Sequence, residues 1–240
     1  LEFRLRNGLK KGDTRATGES LRDPYCSAVL QRVAKISAWG KHRPTKAAKP
    51  VKTGRGMALG DRHVGHGDSS FELLLERDGT LRLLSGVGDQ GVGAYTMHRQ
   101  VVSELLGVDP NSIRIEVGNT SNAPYDQGIK GARGTHIEGQ AVMRTTNSLI
   151  DALCELAAVR WGTTTEKVTW VRGGARFKEN GKAKRLGLKE LALLADKPLK
   201  GFGEFVGHKP DVYSFQAAVV DVEVDTATGE VKLKHLYFVY

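Results

Sequence analysis

A chain of 240 residues, 40% of them hydrophobic, can bury a substantial core, which places it among globular proteins. No stretch approaches the roughly 20 consecutive apolar residues of a membrane-spanning helix. Its two cysteines, Cys26 and Cys154, exclude a disulfide framework or a cysteine-rich metal site. This cysteine usage suits a reducing compartment, so we expect a cytoplasmic protein in which Cys154 is a buried free thiol.

The net charge of +9 is concentrated near the N-terminus. Residues 1–60 contain 14 Lys and Arg against 4 Asp and Glu, so the remaining residues are close to neutral. The basic stretch 40–56, GKHRPTKAAKPVKTGRG, is poor in apolar residues and is interrupted by Pro44 and Pro50. We interpret it as a solvated connector. The alternative is an arm that binds anions or nucleic acid, although the stretch lacks interleaved aromatic residues that could stack on bases.

Local patterns predict the following elements in chain order. A helix-like phrase opens the chain, helical spacing continues over 26–39, and two runs around Asp78-Gly79 predict a β-hairpin. A helix over about 92–106, a strand over 112–117 and a long helix over about 136–161 follow. Short strands near 167–171 and 175–181, a small helix near 187–195, a strand near 200–208 and a hairpin turned at TATGE complete the chain.

Helices and strands mix in this order without strict alternation. The sequence therefore predicts an α+β fold with mixed sheets and long packed helices.

An anion site is predicted at the start of the long helix. The stretch 130–138 reads KGARGTHIE, and Thr135 followed by Glu138 fits a capping box that begins the helix at about Thr135. The unpaired N–H groups of such a helix start favour an anion, as do the positive charges of Lys130 and Arg133. A phosphate fits this arrangement best.

The stretch 88–93, GDQGVG, has the same design ahead of the preceding helix. It is neither a Walker loop nor a GxGxxG motif, and Gln90 offers both hydrogen-bond donors and acceptors. For either stretch alone, a glycine-rich turn that binds nothing is an open alternative. The long loop over 118–134 allows the two helix starts to lie together, so the pair predicts a ligand with two anionic ends or a pyrophosphate.

No catalytic constellation is apparent, so we assign no catalytic residue and no metal ligand. His63 and His66 have metal-like spacing without a third ligand, and we expect them in a solvated loop. His98 and His136 are expected at the surface or behind the site. The last hairpin carries three alternating carboxylates that are expected to face water: Asp221, Glu223 and Asp225.

Five phrases of the chain, in order, resemble the molybdenum-binding large subunit of the molybdenum hydroxylases, the xanthine dehydrogenase, aldehyde oxidase and carbon monoxide dehydrogenase group. They are LEFRLRNGLKKGDTRATGE, GRGMAL with ERDGTLRLLSG, DQGVGAYTMHRQVVSELLGV, IRIEVGNTSNAPYDQGIKGARGTHIEGQAV and VDVEVDTATGEVKL. The third is similar to the family's E-x-G-Q-G-x-x-T pattern, and the fourth is similar to its G-S-R-x-T pattern. The resemblance covers nearly the whole chain.

The resemblance implies that the two glycine-rich loops wrap a molybdopterin, often extended as a cytosine dinucleotide, largely through backbone groups. The implied cofactor-binding residues are Gln90, Gly91, Val92, Gly93 and Thr96 in one loop and Gly131, Ala132, Arg133, Gly134 and Thr135 in the other. The family oxidises a C–H bond of aldehydes or N-heterocycles with oxygen from water. Electrons then leave through iron–sulfur clusters and FAD on partner subunits or domains.

The resemblance also implies an organisation. Residues 1–39 would end a first molybdopterin-binding subdomain, 40–56 would be the basic linker, and 57–240 would form part of a second subdomain. Both ends look cut, so we expect an interior piece of a longer polypeptide. Its expected partners are the rest of its own large subunit, an iron–sulfur subunit, a flavin subunit and a small-molecule substrate, with no membrane and no nucleic acid.

The chain departs from the family pattern at several positions of the implied site. Val92 stands where the family usually has glutamine, Ala132 replaces a serine, Gly134 a polar residue, and Asn119 an aspartate. Backbone contacts survive such changes, whereas side-chain contacts do not. The family's active-site glutamate belongs to a later segment. A non-catalytic paralogue or scaffold that keeps the fold without the cofactor is therefore an alternative function.

Overall fold

The computed structural model describes residues 1–41, 50–179, 181–208 and 213–240. The chain divides into two compact units, residues 1–64 with 210–240 and residues 65–209. Helices and strands occur in similar amounts, which confirms the predicted α+β class. Among the helices of the described ranges, none has both the length and the hydrophobicity that a bilayer crossing requires.

The helices and strands are bounded as follows. The helices are α1 (Glu2–Asn7), α2 (Cys26–Ile36), α3 (Ala94–Leu106), α4 (Gly139–Trp161) and α5 (Leu188–Leu194). The strands are β1 (Val51–His63), β2 (Gly67–Leu75), β3 (Leu81–Ser85), β4 (Ile113–Val117), β5 (Val168–Trp170), β6 (Gly174–Glu179), β7 (Lys182–Gly187), β8 (Leu199–Gly207), β9 (Tyr213–Asp225) and β10 (Val231–Val239). A π-turn, Gly134–Glu138, leads directly into α4.

The first unit is an antiparallel sheet in the order β1-β9-β10 with α2 on one face. The inward residues of β9 alternate along the strand, as one buried sheet face requires, and they pack with Leu30 and Val33 of α2. Cys26 lies in the same core as a free thiol. Burial raises the pKa of the Cys26 thiol, so it stays protonated at neutral pH.

The opposite side of this sheet, which we call the open sheet face, is apolar. Leu233 pairs with Val222 and Leu236 with Val220, so these side chains share one side of the sheet. Leu233 is 62% exposed and Leu236 57% exposed. Large apolar side chains are rarely grouped in this way on a surface that meets only water.

The carboxylate of Asp221 lies on the buried side of the sheet, which corrects the expectation that it faces water. Asp221 is 7% exposed, and Arg55 of β1 binds it with two nitrogens. Arg55 Nη2 donates to Asp221 Oδ2 at 2.8 Å, and Arg55 Nη1 donates to the carbonyl of Ser37 at 2.9 Å. The hydrogen bonds to Asp221 raise the pKa of Arg55, which keeps the guanidinium charged.

The second unit contains a four-stranded sheet in the order β4-β3-β2-β8. β2 and β3 form the predicted hairpin, and Asp78 in its turn accepts a hydrogen bond from the N–H of Thr80 at 2.8 Å. That bond lowers the pKa of Asp78. β3 pairs with β4 in parallel, and α3 makes the crossover between them. β8 pairs with β2 on the far side in antiparallel orientation.

The long helix α4 covers this sheet and approaches β8 very closely. Two glycines of β8 permit the contact, since a Cβ on Gly203 would lie 2.2 Å from the amide nitrogen of Thr145 and one on Gly201 would lie 2.4 Å from its carbonyl oxygen. α4 also packs on a small antiparallel sheet in the order β5-β6-β7. Cys154 lies buried in this core as a free thiol, as predicted, and burial raises its pKa.

The predicted linker over 40–56 differs from the structure at its C-terminal end. Residues 51–56 belong to β1 and pair with β9, because their partner strand lies near the far end of the chain. Residues 42–49, the central part of the basic stretch, lie outside the described residues. The subdomain boundaries 1–39, 40–56 and 57–240 stay a prediction, and the compact units given above divide the chain differently.

Candidate functional site

Two loops leave the same edge of the four-stranded sheet. The first loop, residues 86–93, follows β3 and leads into α3, whereas the second loop, residues 118–133, follows β4 and leads into the π-turn. Because β3 and β4 are parallel, with Leu81 opposite Ile113 and Ser85 opposite Val117, their carboxyl ends meet at one edge. Ligands of α/β sheets bind at this edge. The parallel pairing brings the loops together, which the sequence analysis attributed only to loop length.

The first loop is closed by its own carboxylate. Asp89 Oδ1 accepts hydrogen bonds from the amides of Gly91, Val92 and Gly93 at 2.9, 3.1 and 3.3 Å. Gly91 and Gly93 have φ angles of 86° and 78°, which is a backbone conformation that favours glycine. The amides of these three residues therefore bind the protein's own aspartate, and the expectation that they are free for an external anion is corrected.

The free backbone N–H donors lie directly after the first loop, in the first turn of α3. The N–H groups of Ala94, Tyr95 and Thr96 have no hydrogen-bond partner within the described part of the chain, and no side chain caps this helix. Thr96 and Gln90 are exposed, and a Cβ at Gly91 or Gly93 would meet nothing within 4 Å. The space next to these glycines, ahead of the positive end of α3, is therefore open.

Arg133 does not provide the exposed positive charge that the sequence analysis expected. Its side chain is fully buried, and Nη1 donates to Asp126 Oδ1 at 3.1 Å and to the carbonyl of Gly128 at 2.7 Å. Nη2 donates to the carbonyl of Asp68, at the start of β2, at 2.6 Å. Arg133 therefore ties the second loop to the sheet from below. The exposed cation of this loop is Lys130.

Two successive left-handed residues stand near the end of the second loop. Gly131 has a φ of 56° and Ala132 a φ of 61°. A left-handed alanine costs roughly 1 kcal/mol or more, because its Cβ crowds the following carbonyl. The amides of Gly131 and Ala132 have no partner among the residues that the structure describes. Gly65 packs beneath this turn, since a Cβ there would lie 2.8 Å from the carbonyl oxygen of Gly131.

The predicted capping box of Thr135 and Glu138 is absent. No side chain caps the π-turn, and the turn passes into α4 at Gly139 without a break. Glu138 instead points inward, where its Oε2 lies 3.1 Å from Nε2 of His98. Thr135 is left exposed, and the amides of Gly134, Thr135 and His136 have no partner in the described ranges.

The two helix starts lie side by side, as the pair of motifs predicts. Met97 Sδ of α3 lies 3.7 Å from the position that a Cβ on Gly139 would take, and His98 contacts Glu138. Of the two positions expected for these histidines, at the surface or behind the site, His98 does not take the first, since it is fully buried, whereas His136 is exposed. His63 and His66 are exposed. In the described residues, no group of three or more His, Cys, Asp and Glu side chains could hold a metal ion.

Two residues that shape the site were missed by the sequence analysis. Asp89 precedes the glycines, and an aspartate two to four residues ahead of loop amides is a known local acceptor, so this signal was available. Asp126 lies in the second loop and binds Arg133, the hydroxyl of Ser69 and the amide of Gly128. Its role depends on contacts with β2 that no local pattern reveals.

Comparisons with known proteins identify the family of this chain. A family model described as a molybdopterin cofactor-binding domain matches residues 32–240. The xanthine dehydrogenase molybdenum-binding subunit of Escherichia coli O157:H7 is 25% identical over 100% of this chain and 34% of the relative. The carbon monoxide dehydrogenase large chain of Hydrogenophaga pseudoflava is 27% identical over 83% of this chain and 28% of the relative.

A solved structure shares the fold. Quinoline 2-oxidoreductase from Pseudomonas putida 86 matches with a TM-score of 0.68 at 18% identity, over 98% of this chain and 33% of that one. The chain spans about a third or less of the length of the relatives named here. The match of the family model to most of the chain settles the family. The chain belongs to the molybdopterin cofactor-binding domain family of the xanthine dehydrogenase and carbon monoxide dehydrogenase type.

Proposed function

We propose that this chain holds molybdopterin between the starts of α3 and the π-turn, as part of the large subunit of a molybdenum-dependent oxidoreductase. The observation that carries the proposal is the pair of adjacent helix starts at the carboxyl ends of β3 and β4, each with unpartnered amides. A phosphate group fits such amides because the helix dipole and the N–H groups act together. The family membership of the chain supports the same ligand.

The residues present fit an anionic organic cofactor. A phosphorylated tail has room in the open space next to Gly91 and Gly93. The exposed hydroxyl of Thr96 can donate a hydrogen bond to it, and the exposed ammonium of Lys130 offers positive charge. Gly91, Val92 and Gly93 contribute the shape of the first loop, since their amides are held by Asp89. Backbone donors are offered by Gly131 and Ala132 in the second loop and by Gly134 and Thr135 in the π-turn. Arg133 supports this loop from beneath.

The roles of the chain's own residues are binding and orientation. The cofactor, when bound, supplies the chemistry that oxidises a C–H bond, and the residues described here hold its tail in place. Proton transfer is left to residues elsewhere in the polypeptide. We assign no catalytic residue to this chain. The cytosine dinucleotide form, iron–sulfur and FAD-bearing partners, an aldehyde or N-heterocyclic substrate and a cytoplasmic location belong to the same proposal.

The test places negative charge at both helix starts of the full-length protein that contains this chain. Thr96→Glu combined with Thr135→Glu should preserve the unfolding temperature, because acidic residues are favourable at helix N-termini. The same charges repel an anionic cofactor at close range. We therefore expect molybdenum content and pterin fluorescence of the purified protein to fall by about tenfold or more, since each factor of ten corresponds to only about 1.4 kcal/mol.

The matched control is Gln100→Glu, which adds one charge further along α3 at an exposed position. We expect this variant to retain its cofactor. Undiminished cofactor in the doubly charged variant would refute the proposed site. Absence of both molybdenum and pterin from the unsubstituted protein, after expression with a competent cofactor pathway, would refute the enzymatic function.

A second candidate function is a paralogue that keeps the fold without retaining the cofactor. It is favoured by Val92, an apolar side chain that is 66% exposed where the family usually has glutamine, and by the left-handed Ala132 in place of serine. Restoring both groups with Val92→Gln and Ala132→Ser should then raise cofactor occupancy. Unchanged occupancy would count against this candidate.

A further inference from the structure

A buried histidine and a buried glutamate meet where the two helix starts lie together. His98 Nε2 and Glu138 Oε2 lie 3.1 Å apart, within hydrogen-bond distance, and both side chains are fully buried. His98 lies four residues after Ala94, the first residue of α3, and Glu138 is the last residue of the π-turn. The pair is therefore about one helical turn from the unpartnered amides of both helix starts.

The surroundings of this pair are apolar. The other buried residues of α3 are Ala94, Val102 and Leu106. The buried residues next to Glu138 are Ile137, Ala141 and Val142. The ring of Phe71 packs edge-on against the imidazole of His98, with ring centroids 4.8 Å apart. The pair thus interrupts the apolar face of α3 and the apolar residues around Glu138, which would otherwise form a continuous hydrophobic contact.

Stability alone does not account for this pair. His98 Nδ1 and Glu138 Oε1 are buried without a hydrogen-bond partner among the described residues. Unsatisfied buried polar atoms are costly, and apolar side chains of similar volume often replace a buried ion pair without loss of stability. The best-attested use of a buried polar pair between helices is to fix their register.

The register in question is that of the two loops. Met97, the neighbour of His98, packs with its sulfur 3.7 Å from the Cβ position of Gly139, the neighbour of Glu138, so the helices approach closely at this level. The first loop leads into α3, and the second loop leads into the π-turn. Sliding one element along the other would change the spacing between the free amides of residues 94–96 and those of residues 134–136.

We propose that His98 and Glu138 are positioning residues that fix the spacing of the two helix starts and thereby the retention of the cofactor between them. This inference rests on the proposed function, since it assigns the pair to the same site. Neither side chain contacts the cofactor, because both are buried behind the amides.

The experiment uses the full-length protein, purified with its cofactor, and the double variant His98→Leu with Glu138→Met. Apolar side chains of similar volume should leave the thermal unfolding midpoint equal or higher, because the buried polar atoms are gone. The cofactor should dissociate about tenfold faster, since small misplacements of binding groups weaken a site strongly. Pterin fluorescence and molybdenum content after timed dialysis measure the dissociation.

A conservative variant and a matched control accompany the double variant. Glu138→Gln keeps a hydrogen-bonding group of nearly the same shape opposite His98 Nε2, and we expect its cofactor dissociation rate to stay close to that of the unsubstituted protein. Arg55→Met with Asp221→Leu removes another buried pair, in the other compact unit, and should leave dissociation unchanged. Amide hydrogen exchange at residues 134–138 of the cofactor-free protein should be faster only in the His98 and Glu138 double variant.

Three results would overturn the inference: cofactor retention by the double variant at the unsubstituted rate, cofactor loss from Glu138→Gln, or equal loss from the Arg55 and Asp221 control. If the double variant does not fold, cofactor loss from Glu138→Gln still overturns the inference. A protein that never contains cofactor contradicts the proposed function instead. In that case faster amide exchange at 134–138 in the double variant supports the spacing role, and unchanged exchange overturns it.

Discussion

The first loop and the second loop reach the same sheet edge, and both place small residues ahead of a helix, yet they hold their shapes by different means. The first loop is closed locally, because Asp89 binds three amides within four residues of itself. The second loop is fixed from a distance, because the buried Arg133 connects it to Asp126 and to the carbonyl of Asp68 on β2. Similar sequence designs thus give one self-contained turn and one loop that depends on the core.

This difference teaches where each loop can tolerate change. A local turn loses only its own hydrogen bonds when its acceptor is removed, and it stays attached to an intact helix. A loop that is anchored by a buried charge leaves the partner charge unpaired when the anchor is removed. We therefore expect removal of the anchor Arg133 in the second loop to affect the whole second unit, and removal of the acceptor Asp89 in the first loop to remain local.

The largest expected effect comes from Arg133→Leu. Asp126 would stay buried without its guanidinium partner, and breaking a buried ion pair in this way costs about 3–5 kcal/mol of unfolding free energy. Chemical denaturation of the full-length protein, followed by a probe in the second unit, measures the loss. Lys130→Leu, at an exposed position of the same loop, is the control, and its effect should stay within about 0.5 kcal/mol. A loss below about 1 kcal/mol for Arg133→Leu would show that the anchor is dispensable.

A smaller and local effect is expected from Asp89→Ala. Loss of a side-chain acceptor at a helix entry costs about 1 kcal/mol. Amide exchange should become faster at residues 91–93 while the rest of the second unit keeps its protection. Asp109→Ala is a matched control, because Asp109 Oδ1 accepts from the amide of Asn111 at 2.8 Å in another turn. Exchange that accelerates throughout the unit would contradict the local character of the first loop.

The smallest expected effect has the opposite sign. Ala132→Gly should raise the unfolding free energy by about 0.5 kcal/mol, since the removal of Cβ relieves the left-handed conformation while glycine increases the entropy of the unfolded chain. Ala132 is exposed, so the substitution leaves no cavity. The control is Ala123→Gly, because Ala123 is a half-buried residue of the same loop whose φ angle is not positive. Thermal unfolding of the two variants measures the difference. Destabilisation by Ala132→Gly would indicate that the backbone there is unstrained.

Local signals predicted most of the secondary structure. The hairpin around Asp78-Gly79, the strand at 113–117 and the start and end of the last hairpin follow from alternation and turn residues. The end of α4 at Gly162 follows from a left-handed glycine with a φ of 64°. β7 was missed, because the first four of its side chains are exposed and the strand is defined by its pairing with β6.

The sequence predicted that the two helix starts lie together, but it did not predict the contacts of the charged residues around them. Arg133 reaches a carbonyl 65 positions away, His98 meets a carboxylate 40 positions away, and Arg55 binds Asp221 across 166 positions. Local sequence patterns contain no information on such partners, so none of these three contacts was predicted. The assignment of individual cofactor-contacting residues stays a prediction for the same reason.

The open sheet face has a consequence for handling the protein in the laboratory. A preparation of these 240 residues alone would display Leu233, Leu236 and Phe238 to the solvent, so we expect retention on hydrophobic-interaction columns and concentration-dependent association. Salt that strengthens hydrophobic contacts would worsen this association, whereas the charge of +9 would oppose it at low ionic strength. Production as part of the proposed large subunit is therefore the preferable route to colloidally stable material.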